Sequence, residues 1–140
     1  MLLRRTFILL AIGLLSACAT PRTLTESQED DLVRRATDRW EAIVERDFSD
    51  AYELTSPAYR AVFTEAMYRT KFSYMLEWEL TSVELVHYDA RAAVASVAVR
   101  VMSRPVKQTS AASAAIGAVP TRFVEQWILE DGQWWYSATL

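Results

Sequence analysis

The chain has 140 residues, of which 51% are hydrophobic and 24% charged, and its formal net charge is −3 at pH 7. This length allows one domain rather than two. With only three Gly and four Pro residues, the composition argues against a disordered or low-complexity chain. The basic residues are scattered, so no basic stripe is available to neutralise a phosphate backbone. Nucleic-acid binding is therefore not expected.

The first residues have the organisation of a secretory signal. Two arginines are followed by an apolar run, TFILLAIGLL, over residues 6–15, and small residues precede Cys18. A transmembrane helix needs roughly 20 apolar residues, so this shorter run is typical of a cleaved leader. The segment Leu15-Ser16-Ala17-Cys18 resembles the bacterial lipobox, which implies cleavage before Cys18 and acylation of its thiol, palmitate being one such acyl group.

The lipobox resemblance implies three parts: a signal peptide (1–17), a lipidated cysteine with its tether (18–25) and one domain (26–140). Cleavage removes two arginines and leaves 13 basic and 18 acidic residues, a net charge of −5. Two or more acyl chains anchor a protein stably in a membrane. Because Ala19 rather than aspartate follows the cysteine, the periplasmic face of the outer membrane is favoured over the inner membrane. The alternative is an ordinary secretory signal whose apolar run ends by chance at a cysteine.

The first half of the domain has the periodicity of helices. Thr25 and Gln28 have the spacing of a capping box, and Ser27 with Asp30 offers a second possible start. Apolar residues then recur at three- and four-residue intervals. These apolar residues are Leu32, Val33, Ala36, Trp40, Ile43 and Val44. The opposite, polar face is expected to carry Arg34, Arg35, Asp38, Arg39, Glu41 and Glu45. Shorter helices are predicted over 47–54, from Ser56-Pro57 onward, and after Thr64.

Beyond residue 82 the apolar period changes to two, which predicts strands. Val83, Leu85 and His87 are expected on one face of the first strand, and a turn near Asp89-Ala90 leads to a second strand over 94–101. Both the second and the third strands are expected to extend into the pattern-poor segment 102–120, leaving a mobile tip at about 107–116.

Asp131-Gly132 is a strong hairpin signal between two further strands, 121–130 and 133–139. A two-residue turn pairs Trp127 with Tyr136, and this register assigns the residues of both strands to two faces. The face expected against the helices carries Phe123, Glu125, Trp127, Leu129, Trp134 and Tyr136. The other face carries Val124, Gln126, Ile128 and Trp135.

Helices followed by antiparallel strands give an α+β fold. Three segments, 40–48 (WEAIVERDF), 51–57 (AYELTSP) and 127–134 (WILEDGQW), resemble the nuclear-transport-factor-two-like superfamily, which includes ketosteroid isomerase and the SnoaL-like cyclases. The resemblance implies a cone-shaped fold, in which the N-terminal helices pack on a curved antiparallel sheet and leave a pocket between helices and sheet. A cystatin-like roll is the confusable alternative.

The resemblance also implies candidate site residues. Those for the pocket are Tyr52, Tyr59, Phe63, Tyr68, His87 and Trp127. Many members dimerise through the outer face of the sheet, where Val124, Ile128 and Trp135 supply apolar side chains. Enzymes of this fold work by proton transfer, which makes His87 and Glu125 weak catalytic candidates. The alternative for Glu125 is a structural ion pair with an arginine such as Arg91 or Arg100.

One histidine and one acylated cysteine leave no cluster of metal ligands, and no Gly-rich phosphate loop is present, so neither a metal nor a cofactor is expected. The predicted function is an outer-membrane periplasmic lipoprotein, whose non-catalytic accessory domain binds a small apolar ligand or a protein partner. Two alternatives stay open: a cofactor-independent isomerase, dehydratase or cyclase-like enzyme that uses His87 and Glu125, and a structural subunit of an envelope assembly.

The lipobox assignment predicts that Cys18→Ser abolishes acylation. Without the thiol no thioether to lipid can form, so the variant is expected to accumulate uncleaved or soluble and to take up no labelled palmitate. Metabolic labelling followed by fractionation measures both effects. Palmitate uptake by Cys18→Ser at the wild-type level would refute the assignment.

Overall fold

Helices pack against a four-stranded antiparallel sheet in the computed structural model, which describes residues 23–107 and 109–138. The leader and Cys18 lie outside the described residues. The helices are α1 (Glu26–Glu45), α2 (Phe48–Glu53), α3 (Pro57–Val62), α4 (Glu65–Arg69) and α5 (Ala111–Ile116). The strands are β1 (Leu76–Asp89), β2 (Val94–Pro105), β3 (Val119–Glu130) and β4 (Gln133–Tyr136). The strand order β1-β2-β3-β4 confirms the α+β class, as an open sheet with two edges.

The start of α1 confirms the predicted capping box. The Thr25 hydroxyl accepts a hydrogen bond from the Gln28 amide at 3.2 Å, and the Gln28 side chain accepts one from the Thr25 amide at 3.0 Å. Ser56 and Thr64, at the predicted starts of two shorter helices, likewise accept hydrogen bonds from the amides three residues further on. These bonds satisfy amides that the first turn of a helix leaves without partners.

The placement of Arg39 on the polar face of α1 is wrong. Its side chain is only 3% exposed and lies on the inner face of the helix. The physical reason is spacing: Leu32, Ala36, Arg39 and Ile43 follow one another at intervals of four, three and four residues. Such intervals place all four on one stripe of a helix. The stripe faces the sheet, so Arg39 is buried with its apolar neighbours.

Two irregularities in β1 change which of its residues face the helices. The pairing with β2 shifts register between Leu80 and Ser82 and again between Leu85 and His87. Each extra residue reverses the alternation of faces. The side chains that pack on the core are therefore Trp78, Leu80, Val83, Leu85 and Tyr88. His87, which strict alternation placed inward, is exposed, and that expectation is wrong.

The predicted hairpin is confirmed residue by residue. Trp127 pairs with Tyr136, and Asp131 and Gly132 form the turn with φ values of 51° and 77°, the left-handed conformations that a type I′ turn requires. As expected, β2 and β3 extend into the segment 102–120. The predicted mobile tip, at about 107–116, contains the short helix α5. The alanine-rich sequence of α5 favours helix formation.

The core lies between α1 and the inner face of the sheet, and α2 to α4 add aromatic side chains at one end. Its buried hydrophobic members are Leu32, Ala36, Trp40, Ala42, Ile43, Phe48, Ala51, Tyr59, Tyr68, Ala95, Val97, Val99, Val101, Trp127 and Trp134. Within the described ranges, no helix is both long and apolar enough to cross a bilayer.

Removal of the Trp40 side chain tests this packing. Because Trp40 is buried between α1 and β3, we expect Trp40→Ala to lower the free energy of unfolding by about 3–5 kcal/mol. The control Val62→Ala changes an exposed residue of α3 and should alter stability by less than about 0.5 kcal/mol. Denaturant unfolding measures both. A loss below about 1 kcal/mol for Trp40→Ala would contradict the register of α1.

Candidate functional site

A cavity of about 250 Å³ opens between α1, the end of α4 and the inner face of the sheet. We refer to it as the pocket. It is lined by Arg39, Trp40, Tyr68, Lys71, Phe72, Trp78, Phe123, Val124, Glu125, Tyr136 and Ala138. Most of these side chains are aromatic, and three of the lining residues carry a charge. Apolar walls with a few polar groups are typical of a binding site for a small molecule.

The buried polar groups of the pocket centre on Glu125. Arg39 donates to its Oε1 atom through Nη1, and Trp40 donates to the same oxygen through Nε1 at 2.7 Å. Trp127 donates to the other carboxylate oxygen at 3.1 Å. The carboxylate and the guanidinium are 5% and 3% exposed. Three N–H donors from two different elements therefore hold one carboxylate in place.

Arg39 is held on several sides. Its Nη2 atom donates to the Tyr68 hydroxyl at 3.0 Å, and its guanidinium carbon lies 3.6 Å from the centre of the Tyr136 ring. Stacking of a guanidinium on an aromatic face is favourable and leaves its N–H groups available in the plane. The Nε atom of Arg39 is buried and has no hydrogen-bond partner among the described residues.

Burial and charge act in opposite directions on the pKa of Arg39. Burial is the largest single effect and lowers this pKa, but the Glu125 carboxylate together with Tyr68 and Tyr136 outweighs it, so the pKa of Arg39 stands above its ordinary value. Burial raises the pKa of Tyr68 to about 12, although the adjacent Arg39 opposes that rise. Burial raises the pKa of Tyr136 as well. At neutral pH, Arg39 is therefore charged and both tyrosines are protonated.

Two aromatic pairs form the walls of the pocket. Trp40 of α1 stacks on Phe123 of β3 with ring centres 5.0 Å apart. Phe72, which follows α4, meets Trp78 of β1 edge to face at 6.5 Å. Since α1, β1, β3 and the segment after α4 each contribute a wall residue, the pocket exists only in the assembled fold.

The six predicted pocket residues are not all brought together. Tyr68 lines the pocket, and Trp127 contacts it through Glu125. Tyr59 and Phe63 line a separate, open groove on α3 and α4. The Tyr52 hydroxyl donates to the Phe63 carbonyl at 2.7 Å, and Tyr52 does not line the pocket.

The proposed catalytic pair is not assembled. His87 is exposed on β1, whereas Glu125 is buried beneath α1. The expected ion pair of Glu125 exists, but its partner is Arg39 and not a neighbour in the sheet. Arg100 pairs with Glu84 at 2.8 Å on the surface, and Arg91 is exposed beside the turn after β1.

The three residues of the predicted dimer face lie in different environments. Val124 is 50% exposed, and Ile128 is half-buried. The ring of Trp135 lies 5.0 Å from the guanidinium of Arg35 and 5.1 Å from that of Arg60. Trp135 is thus covered in part by arginines of the helical layer, and a homodimer through this face stays a prediction.

Sequence reasoning did not place most of the lining residues in the pocket, among them Arg39, Lys71 and Trp78. The heptad-like spacing of Arg39 within α1 was a usable signal. Trp78 precedes the first bulge of β1, so its inward orientation did not follow from the alternation read at Val83. The sequence holds no comparable signal for Lys71. Among the described residues, no group of His, Cys, Asp and Glu side chains could hold a metal ion.

Known proteins provide little evidence about the family or the function of this chain. No protein-family model matches the sequence. No curated protein matches it either. A matching solved structure is the solution structure of a SEC-C motif containing protein from Rhodopseudomonas palustris, with 19% sequence identity and a TM-score of 0.40. The match covers 71% of this chain and 70% of that protein, and at this TM-score it carries no argument about function.

These findings correct the resemblance drawn from the three sequence segments. The assignment to the nuclear-transport-factor-two-like superfamily is wrong: no family model supports it, and the matching structure named above is that of a SEC-C motif containing protein. The physical reason is that the three segments describe a capped helix and a Gly-turn hairpin, which many α+β folds share. The match brings no evidence of a lipoprotein either.

The raised pKa of Tyr68 predicts a loss of stability in alkaline solution. Between about pH 10 and about pH 12, the unfolded chain releases the Tyr68 proton while the folded chain keeps it, so the free energy of unfolding falls as pH rises. The loss attributable to this group is about 2–3 kcal/mol. It is complete near pH 12 and absent below about pH 9.

Denaturant unfolding at pH 9 and pH 11.5 measures this effect. Tyr68→Phe should lose less stability between the two pH values than the wild type does. The control Tyr74→Phe removes an exposed hydroxyl and should leave the pH dependence unchanged. Equal pH dependence in Tyr68→Phe and the wild type would contradict the buried, protonated state of Tyr68.

Proposed function

We propose that this chain is a lipid-anchored protein of the periplasmic face of the bacterial outer membrane, whose domain binds a small, mostly apolar molecule in the pocket. The observation that carries the binding function is a cavity of about 250 Å³ with aromatic walls and a buried ion pair. No catalytic step is part of the proposal.

The aromatic lining of the cavity supports binding. At about 250 Å³ the cavity has room for several water molecules, each of which occupies about 30 Å³ in the liquid. Space between Trp40, Phe72, Trp78 and Phe123 also forgoes the contacts that these rings would make in a filled core. A ligand that enters the pocket restores those contacts, which gives it a source of affinity.

The state of Glu125 supports an accessory function over acid–base catalysis. A general base must be within hydrogen-bond reach of the proton it removes. Both carboxylate oxygens of Glu125 already accept N–H groups, from Arg39, Trp40 and Trp127. His87 is exposed on β1 and does not line the pocket, so it cannot act there together with Glu125.

The position of Cys18 supports the anchor. It precedes the first residue of α1, Glu26, by only eight residues. A fully extended chain spans about 3.5 Å a residue, so the domain would lie within about 28 Å of the acyl chains. The proposal also includes the cone shape: the bulges in β1 bend that strand and would curve the sheet around α1.

Binding predicts a defined pattern of changes among the five tryptophans. We expect 2-naphthylmethanol to shift the ¹⁹F resonances of Trp40 and Trp78 in the 5-fluorotryptophan-labelled protein, because both rings line the pocket. Trp134, whose indole donates to the Gln28 carbonyl, and Trp135 should stay unchanged. The mature protein in phosphatidylcholine nanodiscs is the sample, and resonances are assigned by single Trp→Phe substitutions.

Two results would contradict the proposed binding site. One is the absence of any shift at Trp40 and Trp78 up to millimolar probe. The other is a shift at Trp135 alone, which would place the probe on the arginine-covered edge of the sheet. Empty nanodiscs provide the baseline for partition of the probe into lipid.

A further inference from the structure

We propose that Arg35 and Arg60 form a second binding site, which takes the phosphate group of a phosphate monoester or inorganic phosphate beside the ring of Trp135. We refer to these three residues as the arginine site. It is separate from the pocket, because none of the three residues lines the pocket. The inference therefore goes beyond the proposed binding of an apolar molecule and does not depend on it.

Two helices bring the two guanidiniums to one ring. Arg35 belongs to α1 and Arg60 to α3, and their guanidinium carbons lie 5.0 Å and 5.1 Å from the centre of the Trp135 ring. Both distances are within the range of a cation–π interaction, which extends to about 6 Å. Two positive charges are thus held beside one side chain, although like charges repel each other.

The carboxylates that act on Arg35 are bound elsewhere. Arg34 forms ion pairs with Asp31 and, at 3.1 Å, with Asp38. Neither Arg35 nor Arg60 forms an ion pair within the described ranges. Burial is the largest of the effects that lower the pKa of Arg35; Arg34 and Arg60 add to it, and Asp31 and Asp38 act against it. A bound anion would relieve the repulsion between the two guanidiniums.

Both arginines are oriented by backbone carbonyls and keep further N–H groups for a ligand. Arg35 donates from Nε to the Trp134 carbonyl at 2.7 Å. Arg60 donates from Nη1 to the Glu53 carbonyl at 2.6 Å and to the Thr55 carbonyl. The other guanidinium nitrogens have no hydrogen-bond partner among the described residues. Because both side chains are half-buried and none of these nitrogens is a fully buried atom, a ligand can reach them from solvent.

The donors of two guanidiniums suit a phosphate group better than a carboxylate. A carboxylate has two oxygens, and one guanidinium already engages both of them in the bidentate arrangement. A phosphate monoester has three strong acceptor oxygens and a charge of about −1.5 to −2 at neutral pH, so two guanidiniums can share it. Since the backbone bonds already hold both side chains, little rotamer freedom is lost when the ligand binds.

Two sources can supply this chemistry: soluble phosphate, or the head group of an anionic lipid such as phosphatidic acid. Arg35 follows Glu26, the first residue of α1, by nine residues, a distance of about 14 Å along the helix. The proposed lipid anchor, Cys18, precedes Glu26 by eight residues. With that anchor in a bilayer, a lipid head group would be within reach of the arginine site.

The ¹⁹F resonance of Trp135 in the 5-fluorotryptophan-labelled mature protein reports on the arginine site. In phosphatidylcholine nanodiscs, we expect inorganic phosphate to shift Trp135 and to leave Trp40 and Trp78, which line the pocket, unchanged. Sodium chloride and sodium acetate at the same ionic strength should shift Trp135 far less. In a second arm, phosphatidic acid replaces part of the phosphatidylcholine and no phosphate is added.

Substitutions of the arginines test which groups hold the phosphate. Arg35→Gln and Arg60→Gln should each weaken its binding about tenfold, the factor that one charge-assisted hydrogen bond provides. Arg35→Lys and Arg60→Lys keep the charge and lose the fork of donors, so we expect intermediate affinities. Arg122→Gln, a matched change at an exposed arginine of β3, should leave the affinity unchanged. Circular dichroism shows whether each variant is folded, and the Lys variants replace any Gln variant that is not.

The outcomes decide the proposal and its source. A shift of Trp135 with inorganic phosphate supports a soluble ligand, and a shift in the phosphatidic acid arm alone supports a lipid head group. No shift of Trp135 in either arm, or equal shifts with phosphate, acetate and chloride, would overturn the arginine site. Affinities unchanged by all four arginine substitutions would overturn it too. Because 2-naphthylmethanol tests the pocket at Trp40 and Trp78, failure of one site leaves the other intact.

Discussion

The buried ion pair between Arg39 and Glu125 is the constraint on which the rest of the structure depends. Two charges removed from water are costly unless they compensate each other and their remaining hydrogen-bond groups are satisfied. Here α1 supplies the guanidinium and β3 the carboxylate, while Trp40, Trp127 and Tyr68 supply further bonds. Any displacement of α1 along the sheet would break several of these bonds together, so the pair fixes the position of the helix.

The same pair gives the pocket its chemistry. Because Glu125 is occupied by protein donors, it adds little acceptor capacity for a ligand, and one N–H group of Arg39 has no partner within residues 23–107 and 109–138. Well-packed apolar residues often contribute as much net stability as a buried ion pair does. The polar groups and the unfilled space beside them are thus explained better by binding than by stability.

Local signals in the sequence predicted the parts of the fold that local chemistry decides. The capping box at Thr25 and the turn at Asp131-Gly132 were found because a few neighbouring residues determine each. The bulges of β1 were not predicted, because no residue near Leu80 or Leu85 marks the extra residue. Which side chains of β1 face the helices could therefore be assigned only from the structure. Arg39 was misplaced because a charged side chain was assumed to face solvent, whereas its spacing within α1 already indicated burial.

A double-mutant cycle on the ion pair tests the account most directly. Arg39→Met, Glu125→Gln and the double variant are compared with the wild type by denaturant unfolding. The account predicts that each single variant loses about 3–5 kcal/mol, because a buried charge is left without its partner. The double variant should lose clearly less than the two losses combined, with a coupling of about 1–3 kcal/mol. Additive losses, with coupling near zero, would contradict the account, since α1 and β3 would then be held together by something other than this pair.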